Sequence, residues 1–206
     1  MLTLYYSPGS CALASHIVLE EVGATYESIR VNFETTEQSK PNYLSINPKG
    51  RVPSLVTDRG VLTETPAILV YICQIFPAAN LAPLCDPWAL AKVQAFNSYL
   101  CSTVHVAHAH RGRGNRWASS EASFKDMRQK VSETVENCFD LIENTMISGP
   151  WVLGEQYSIC DIYLYTIARW LEQDQVDINQ FPKVTKHFNQ ISNRPAVKRT
   201  LEDHFG

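Results

Sequence analysis

The stretch LTLYYSPGSCALASH, residues 2–16, decides the fold of the amino-terminal part of the chain. Its apolar run Leu2–Tyr6 is short, aromatic and bounded by Ser-Pro-Gly, which predicts a buried strand that ends in a tight turn. Apolar residues then recur at helical spacing as far as Val22, and Gly23 follows, so we predict an amphipathic helix that ends there. Cys11 is expected in the first turn of this helix.

Cys11 is the first candidate for chemistry. Unpaired amide groups and the helix dipole favour an anion at a helix N-terminus, and the thiolate is the reactive form of cysteine. The dipole supplies about 0.3–1 kcal/mol, whereas a hundredfold gain in thiolate needs about 2.7 kcal/mol. Another donor is therefore required, and Ser10 and a bound ligand are the two candidates. An inert buried cysteine is the alternative interpretation.

Composition narrows the class of protein. The chain has 206 residues, 45% of them hydrophobic, and a net charge of −3, which is typical of a globular protein that acts on small molecules. This charge favours neither nucleic acid nor an anionic membrane as a partner. We see no signal peptide and no apolar stretch long enough to span a membrane, so a cytoplasmic location is expected.

The six cysteines are scattered without a C-x-x-C pair, which argues against a zinc site and against a dithiol motif. Cys11 is therefore a monothiol, and Ala14 stands where a resolving cysteine would lie. His108 and His110 lack a carboxylate or thiolate at ligand spacing, so no metal is expected there. The basic run of residues 111–116 is expected to be a solvated turn.

The next segments predict a compact mixed sheet. Residues 26–31 alternate and predict a strand parallel to the first, and residues 54–57 and 61–63 predict an antiparallel hairpin. A helix is predicted from Ala67 to Phe76, with Thr65 as its N-cap. This order of elements predicts an α/β domain over residues 1–78.

The remainder of the chain predicts helices alone. A proline-rich linker is expected at residues 79–86 and an all-α domain at residues 87–206. Apolar residues at helical spacing between Val131 and Met146 predict a long amphipathic helix. Ser158 and Asp161 form a capping box before an apolar, centrally buried helix, and two short helices follow Phe181. The predicted fold class is thus an α/β domain followed by a helical bundle.

With these features in register along its whole length, the chain resembles the glutathione transferases. The segments Tyr5–Cys11 and Asn47–Pro53 are most similar to the bacterial, cysteine-bearing beta class. The resemblance implies a thioredoxin-like βαβ-ββα first domain that binds glutathione and a helical domain that binds a small hydrophobic electrophile. It also implies a homodimer and a role in detoxification.

The resemblance further implies the glutathione contacts. It implies a cis bond between Val52 and Pro53, and backbone groups of Val52 that pair with the peptide like an added strand. Glu64 and Thr65 would receive the γ-glutamyl end, although plain helix capping is the alternative. The helical face that carries Ser98, Ser102 and His105 would reach the glutathione site of the partner subunit.

Catalytic roles are implied in the same way. Cys11 would lie at the sulfur of glutathione, assisted by His105 and Ser10, and Tyr6 is a rival donor. Ala12 stands where the family commonly has serine, and this removes one hydrogen bond to sulfur.

Two further departures concern glutathione binding. Val106 stands where the family usually has lysine, and the acidic loop 32–37 lacks the basic residue expected near the glycyl carboxylate. Lys40 is a substitute for that residue.

Conjugation of glutathione to electrophiles such as aryl or alkyl halides is the leading hypothesis for function. Thiol–disulfide transfer through a mixed disulfide at Cys11 is the first alternative. A non-catalytic glutathione-binding or ligand-binding relative is the second.

Overall fold

The computed structural model describes every residue from Met1 to Gly206. Its contacts divide the chain into two units, of which the first comprises residues 1–90 with 192–206 and the second residues 91–191. The nine α-helices are α1 Ala12–Glu21, α2 Pro41–Leu44, α3 Thr65–Ile75, α4 Pro87–Tyr99, α5 His105–Ala109, α6 Glu121–Leu141, α7 Ile159–Ala168, α8 Pro182–Ser192 and α9 Pro195–Phe205.

The first unit contains one sheet of four strands in the order β2-β1-β3-β4. The strands are β1 Leu2–Tyr6, β2 Tyr26–Arg30, β3 Ser54–Thr57 and β4 Gly60–Thr63. β1 runs parallel to β2, and β3 runs antiparallel to both β1 and β4. The predicted parallel strand–helix–strand unit and the predicted hairpin are therefore confirmed, as is the mixed sheet of a thioredoxin-like domain.

Helix α1 is buried on almost every side, so the prediction of an amphipathic helix was wrong. All eight residues from 12 to 19 are buried. α1 packs against α3 and β1, and the C-terminal helix α9 also packs against it. Arg194 binds the carboxylate of Glu21 with two nitrogens, and Arg199 binds Glu20. A helix from the far end of the sequence therefore covers the face that would otherwise be exposed.

Two local predictions differ from the structure around residues 37–65. Helix α3 begins at Thr65, and its N-cap is Glu64 rather than the predicted Thr65. The region before β3 contains a short 3-10 turn, Glu37–Ser39, and the helix α2, where only irregular backbone was expected. A helix of four residues is too short to produce an apolar period, which is why the pattern did not indicate it.

The second unit is helical, as predicted. Every residue of α7 is buried, and the predicted capping box is present at its start. The carboxylate of Asp161 accepts from the Ser158 amide at 2.8 Å and from the Val152 amide at 2.7 Å. π-helical turns follow α4 at Leu100–Val104 and α6 at Ile142–Met146.

The division into units differs in two respects from the predicted domains at 1–78 and 87–206. α9 and residues 87–90 belong to the first unit. The physical reason for α9 is its packing on α1, where Val197 and Thr200 become fully buried. The linker predicted at 79–86 follows a 3-10 turn at Pro77–Ala79. The predicted boundaries otherwise stay predictions.

None of the helices combines the length and the apolar character that crossing a membrane requires.

Candidate functional site

Cys11 lies at the N-cap of α1, immediately after the turn that leaves β1. The side chain is only 8% exposed. Its Sγ lies 3.6 Å from the carbonyl oxygen of Val52 and donates a hydrogen bond to it. The sulfur of the predicted catalytic residue and the predicted peptide-binding backbone are therefore in direct contact.

Ser10 pairs the first amides of α1. Its Oγ donates to the Ser7 carbonyl at 2.6 Å and accepts from the Ala12 amide at 3.3 Å, while its own carbonyl accepts from the Leu13 amide. The expectation of unpaired amide groups around Cys11 was wrong, because Ser10 occupies them. Ser10 thus fixes the start of α1, and the hydrogen bonds of its hydroxyl go to the backbone.

Tyr6 directs its hydroxyl toward α9. The hydroxyl donates to the Asp203 carbonyl at 3.3 Å, and the ring lies 4.6 Å from the ring of His204. Burial, with the nearby Asp203 charge, raises the pKa of Tyr6 above its usual value. The Tyr6 hydroxyl thus has a partner on α9 in this structure, and its role as a rival donor to sulfur stays a prediction.

Two side chains that were not predicted to contribute to the site, Tyr43 and Asn47, make hydrogen bonds to the turn before β3. The Val52–Pro53 bond is cis, as the resemblance implies. The Tyr43 hydroxyl and the Asn47 amide both donate to the Arg51 carbonyl, at 2.6 and 2.7 Å. Both side chains also contact the Ser54 hydroxyl.

We call the hydrogen bonds of Tyr43 and Asn47 to Arg51 the clamp. The clamp does not involve the backbone amide of Val52. The Val52 amide makes no hydrogen bond within the chain. Val52 therefore presents a free N–H beside a carbonyl that Cys11 already contacts, which is the arrangement that an added strand requires. Asn47 lies in the segment Asn47–Pro53, but no pattern in the local sequence predicts its hydrogen bonds across the turn.

The start of α3 offers a second set of donors. Thr65 is only 4% exposed, yet its hydroxyl and its amide make no hydrogen bond within the chain, and the Ala67 amide is also free. Free amides at the N-terminus of a helix favour a carboxylate. Glu64 precedes them with a φ of +73°, a conformation that residues other than glycine rarely adopt. Its carboxylate binds Lys49, which the sequence analysis did not include in the site.

The loop at residues 32–37 is closed by hydrogen bonds between its own residues. The Glu37 carboxylate accepts from the Asn32 amide at 2.8 Å, and the Asn32 side chain accepts from the Glu34 amide at 2.9 Å. Lys40 is exposed and lies at the N-cap of α2. Glu37 therefore closes its own loop.

The other predicted residues belong to the second unit. Ser98 lies on α4, Ser102 on the π-helical turn and His105 at the first position of α5. The expectation of one helical face assumed a continuous α-helix, and the π-helical turn interrupts it. Ser102 donates to the Ser98 carbonyl at 2.7 Å, and the His105 ring packs edge-on against Trp170 at 4.9 Å.

The neighbouring histidines have separate partners. His108 Nδ1 donates to the Asp174 carboxylate at 2.7 Å, and the His110 ring packs against Trp117. No group of three or more His, Cys, Asp or Glu side chains in the chain is arranged to hold a metal ion.

Two other buried cysteines, Cys73 and Cys138, have the environment of unreactive core thiols. Burial raises the pKa of the Cys73 thiol to about 12 and also raises the pKa of Cys138. No disulfide links any of the six cysteines.

Two family models match the chain. Residues 1–74 match the model described as the N-terminal domain of glutathione S-transferase, and residues 106–195 match the model of its C-terminal domain. The two matches cover most of both units.

Individual relatives cover almost the whole chain. A crystal structure of a glutathione transferase homologue from Sulfitobacter, with bound glutathione, is 46% identical over 98% of each chain, with a TM-score of 0.96. A bacterial beta class glutathione S-transferase from Sphingomonas chungbukensis is 30% identical over 98% of each chain, with a TM-score of 0.86. Glutathione S-transferase GstA from Escherichia coli O157:H7 is 25% identical over 202 residues, 97% of each chain.

Proposed function

Because the chain belongs to the glutathione S-transferase family, we propose that it is a homodimeric, beta-class-like enzyme that conjugates glutathione to small hydrophobic electrophiles such as aryl or alkyl halides. A detoxifying role in the cytoplasm is part of this proposal. One observation carries it: the Cys11 sulfur contacts the Val52 carbonyl, beside a free Val52 amide.

Glutathione binds to the first unit as an extended peptide. The Val52 amide donates to the cysteinyl carbonyl of glutathione, and the Val52 carbonyl accepts from its amide, as in the addition of a strand. Pro53 shapes this turn. The Thr65 hydroxyl and the free amides of α3 receive the γ-glutamyl carboxylate, and the Glu64 carboxylate attracts the adjacent ammonium group. The Sulfitobacter homologue, crystallised with glutathione, supports this ligand.

The sulfur of glutathione then lies beside Cys11 at the N-terminus of α1. The helix dipole favours the thiolate there, and the thiol proton leaves to solvent. The thiolate attacks the carbon that carries the halogen, a carbon–sulfur bond forms, and the halide departs with the electron pair of the broken bond. Ser10 contributes by fixing the first turn of α1. His105, with Ser98 and Ser102, assists from the helical unit of the partner subunit.

The test is the removal of one hydroxyl. Thr65→Val keeps the shape of the side chain and removes its hydrogen bond to the carboxylate, so we expect glutathione affinity to fall about five- to tenfold, or about 1–1.4 kcal/mol. Calorimetry measures the affinity, and conjugation of a chlorinated nitroarene measures the activity. Thr3→Val, on β1, is the matched control and should bind glutathione as the wild type does. Equal affinity of the Thr65 and Thr3 variants, or no binding to the wild type, would falsify the proposal.

Cys11 also supports a second candidate function, thiol–disulfide transfer. In this reaction the Cys11 thiolate attacks the disulfide of a glutathionylated substrate, forms a mixed disulfide with glutathione and releases the substrate thiol. A second glutathione thiolate then releases Cys11 and forms oxidised glutathione. A comparison of the two reactions in the wild type separates the functions, because a conjugating enzyme acts on a chlorinated nitroarene and a thiol transferase reduces a small glutathionylated disulfide.

A further inference from the structure

Four side chains of the helical unit form a chain of contacts that begins at His105, the residue proposed to assist catalysis. His105 and His108 are three residues apart on α5, and Trp170 and Asp174 are four residues apart in the segment that follows α7. The His105 ring meets Trp170 edge-on at 4.9 Å, and the His108 ring stacks on Trp170 at 4.4 Å with an interplanar angle of 21°. Trp170 therefore contacts both imidazoles.

Asp174 anchors this arrangement. Its side chain is 1% exposed, and a carboxylate so deeply buried requires partners. Both of its oxygens accept from His108 Nδ1, at 2.7 and 2.9 Å, and Arg111 Nε lies 3.6 Å from one of them. Because a carboxylate only accepts hydrogen bonds, it fixes the proton of His108 on Nδ1 and so fixes the orientation of the ring.

His105 needs such support because its backbone setting is unusual. It is the first residue of a helix of only five residues, and a π-helical turn precedes it directly. Its neighbour in sequence, Val106, carries no charge that could bind a substrate in its place. The edge of Trp170 packs against the His105 ring and restricts its rotation, and stacking on His108 in turn holds Trp170.

We infer that Asp174 is a positioning residue for His105 and acts through His108 and Trp170. This inference rests on the proposed function, in which His105 assists at the sulfur of glutathione. The chain of contacts holds the imidazole in one orientation before substrate binds. The gain is therefore in the chemical step rather than in the affinity for glutathione.

A double-mutant cycle separates positioning from a merely structural role. Asp174→Asn keeps the size of the side chain and removes its charge, so we expect kcat to fall about tenfold while the KM for glutathione stays unchanged. In a His105→Gln background the same change should alter kcat by less than about twofold, since the residue it positions is already gone. A further tenfold loss in that background would overturn the inference.

A matched control comes from another buried pair of the same unit. His187 binds the buried Asp161 at 3.0 Å, and its ring contacts Trp151. His187→Gln therefore removes a comparable histidine–carboxylate bond without touching Trp170. We expect it to leave kcat unchanged, whereas His108→Gln should lower kcat as Asp174→Asn does.

The NMR signal of the His105 ring gives a readout independent of activity. We expect this resonance to move in Asp174→Asn and His108→Gln and to stay in place in His187→Gln. If the wild type shows no conjugation at all, the proposed function has failed, and the resonance alone decides. A His105 signal that is unmoved by both changes overturns the inference.

Discussion

At the scale of single residues, the sulfur of Cys11 joins two parts of the first unit. It belongs to the start of α1, and its hydrogen bond goes to the carbonyl of Val52, forty-one positions away. That bond uses the protonated thiol, and formation of a thiolate breaks it. The backbone of a ligand that pairs with Val52 therefore lies next to the Cys11 sulfur. The hydrogen bond of the Cys11 thiol then depends on whether a ligand is bound at Val52.

Oxidised glutathione should modify Cys11 in preference to two other buried cysteines, Cys73 and Cys138. In the proposed complex its peptide backbone pairs with Val52, beside Cys11, whereas burial raises the pKa of the Cys73 thiol to about 12 and also raises that of Cys138. Mass spectrometry of proteolytic peptides after brief treatment measures the modification at each position. The exposed Cys85 reports general reactivity toward the reagent. If Cys85 carries glutathione and Cys11 does not, the placement of the ligand at Val52 is contradicted.

At the scale of secondary-structure elements, α7 depends on the capping box at its start. The Ser158 hydroxyl accepts a hydrogen bond from the Cys160 amide, and the Asp161 carboxylate accepts one from the Ser158 amide. These groups are all buried. Ser158→Ala should lower the free energy of unfolding by about 1–2 kcal/mol, as loss of an N-cap does. Urea unfolding measures this change.

Ser120, the exposed N-cap of α6, is the matched control. Water can replace its hydroxyl, so Ser120→Ala should cost about 0.5 kcal/mol, at the low end for N-caps. An equal loss in the two variants would show that burial of the Ser158 network adds nothing.

Short-range patterns were sufficient for most elements of the fold. The run Leu2–Tyr6, the hairpin around Gly60 and the capping box at Ser158 each depend on neighbours within a few positions, and all three are present. The environment of α1 was not predictable in this way. Its outer face is covered by α9, and nothing in residues 12–21 indicates a partner that begins at Pro195.

The candidate site shows the same limit. Cys11, Val52 and Thr65 were proposed because the motifs that contain them resemble those of the glutathione transferases. The clamp formed by Tyr43 and Asn47 was missed, since its hydrogen bonds join segments whose contact appears only in the folded chain. The pairing of His108 with Asp174 spans sixty-six positions and was missed for the same reason.

The contact of α9 with α1 contains a buried histidine that should make stability depend on pH. His16 is completely buried, and its Nδ1 lies 3.1 Å from His204 Nε2. Burial lowers the pKa of His16 below its usual value, although the charges of Asp203 and Glu20 oppose this effect. The folded state therefore favours the neutral ring, whereas the unfolded chain takes up a proton near pH 6.5.

The stability contributed by neutral His16 is fully present above about pH 6.5 and is lost as the pH falls below that value. We expect the free energy of unfolding to decrease by up to about 1.4 kcal/mol per pH unit in the acidic range. Urea unfolding at several pH values measures the slope, and His16→Gln should flatten it. His110→Gln, at a partly exposed histidine of the other unit, should keep the slope. A wild-type slope that His16→Gln leaves unchanged would assign the effect to other groups.

At the scale of the whole molecule, the proposed site residues divide between the two units. Cys11, Val52 and Thr65 belong to the first unit, and His105 belongs to the second. In the proposed homodimer, the helical face of one subunit serves the glutathione bound to the other. A substitution in the first unit then affects the site on its own subunit, whereas a substitution in the helical unit affects the site on the partner subunit. Dimers that combine two different variants can therefore contain one intact site.

Two variants with low conjugation activity should therefore gain activity when their subunits exchange. In a mixed dimer of Cys11→Ala and His105→Gln, one site carries both changes and the other carries neither. Random exchange makes half of the dimers mixed, so we expect about a quarter of the wild-type conjugation rate. Exchange in mild denaturant followed by an assay with a chlorinated nitroarene measures the recovery. A mixture of Cys11→Ala with the double variant Cys11→Ala/His105→Gln is the control, because every subunit then lacks Cys11 and every site stays defective. If the first mixture is no more active than this control, His105 acts within its own subunit or the chain does not form the proposed dimer, and sedimentation of the wild type distinguishes the two.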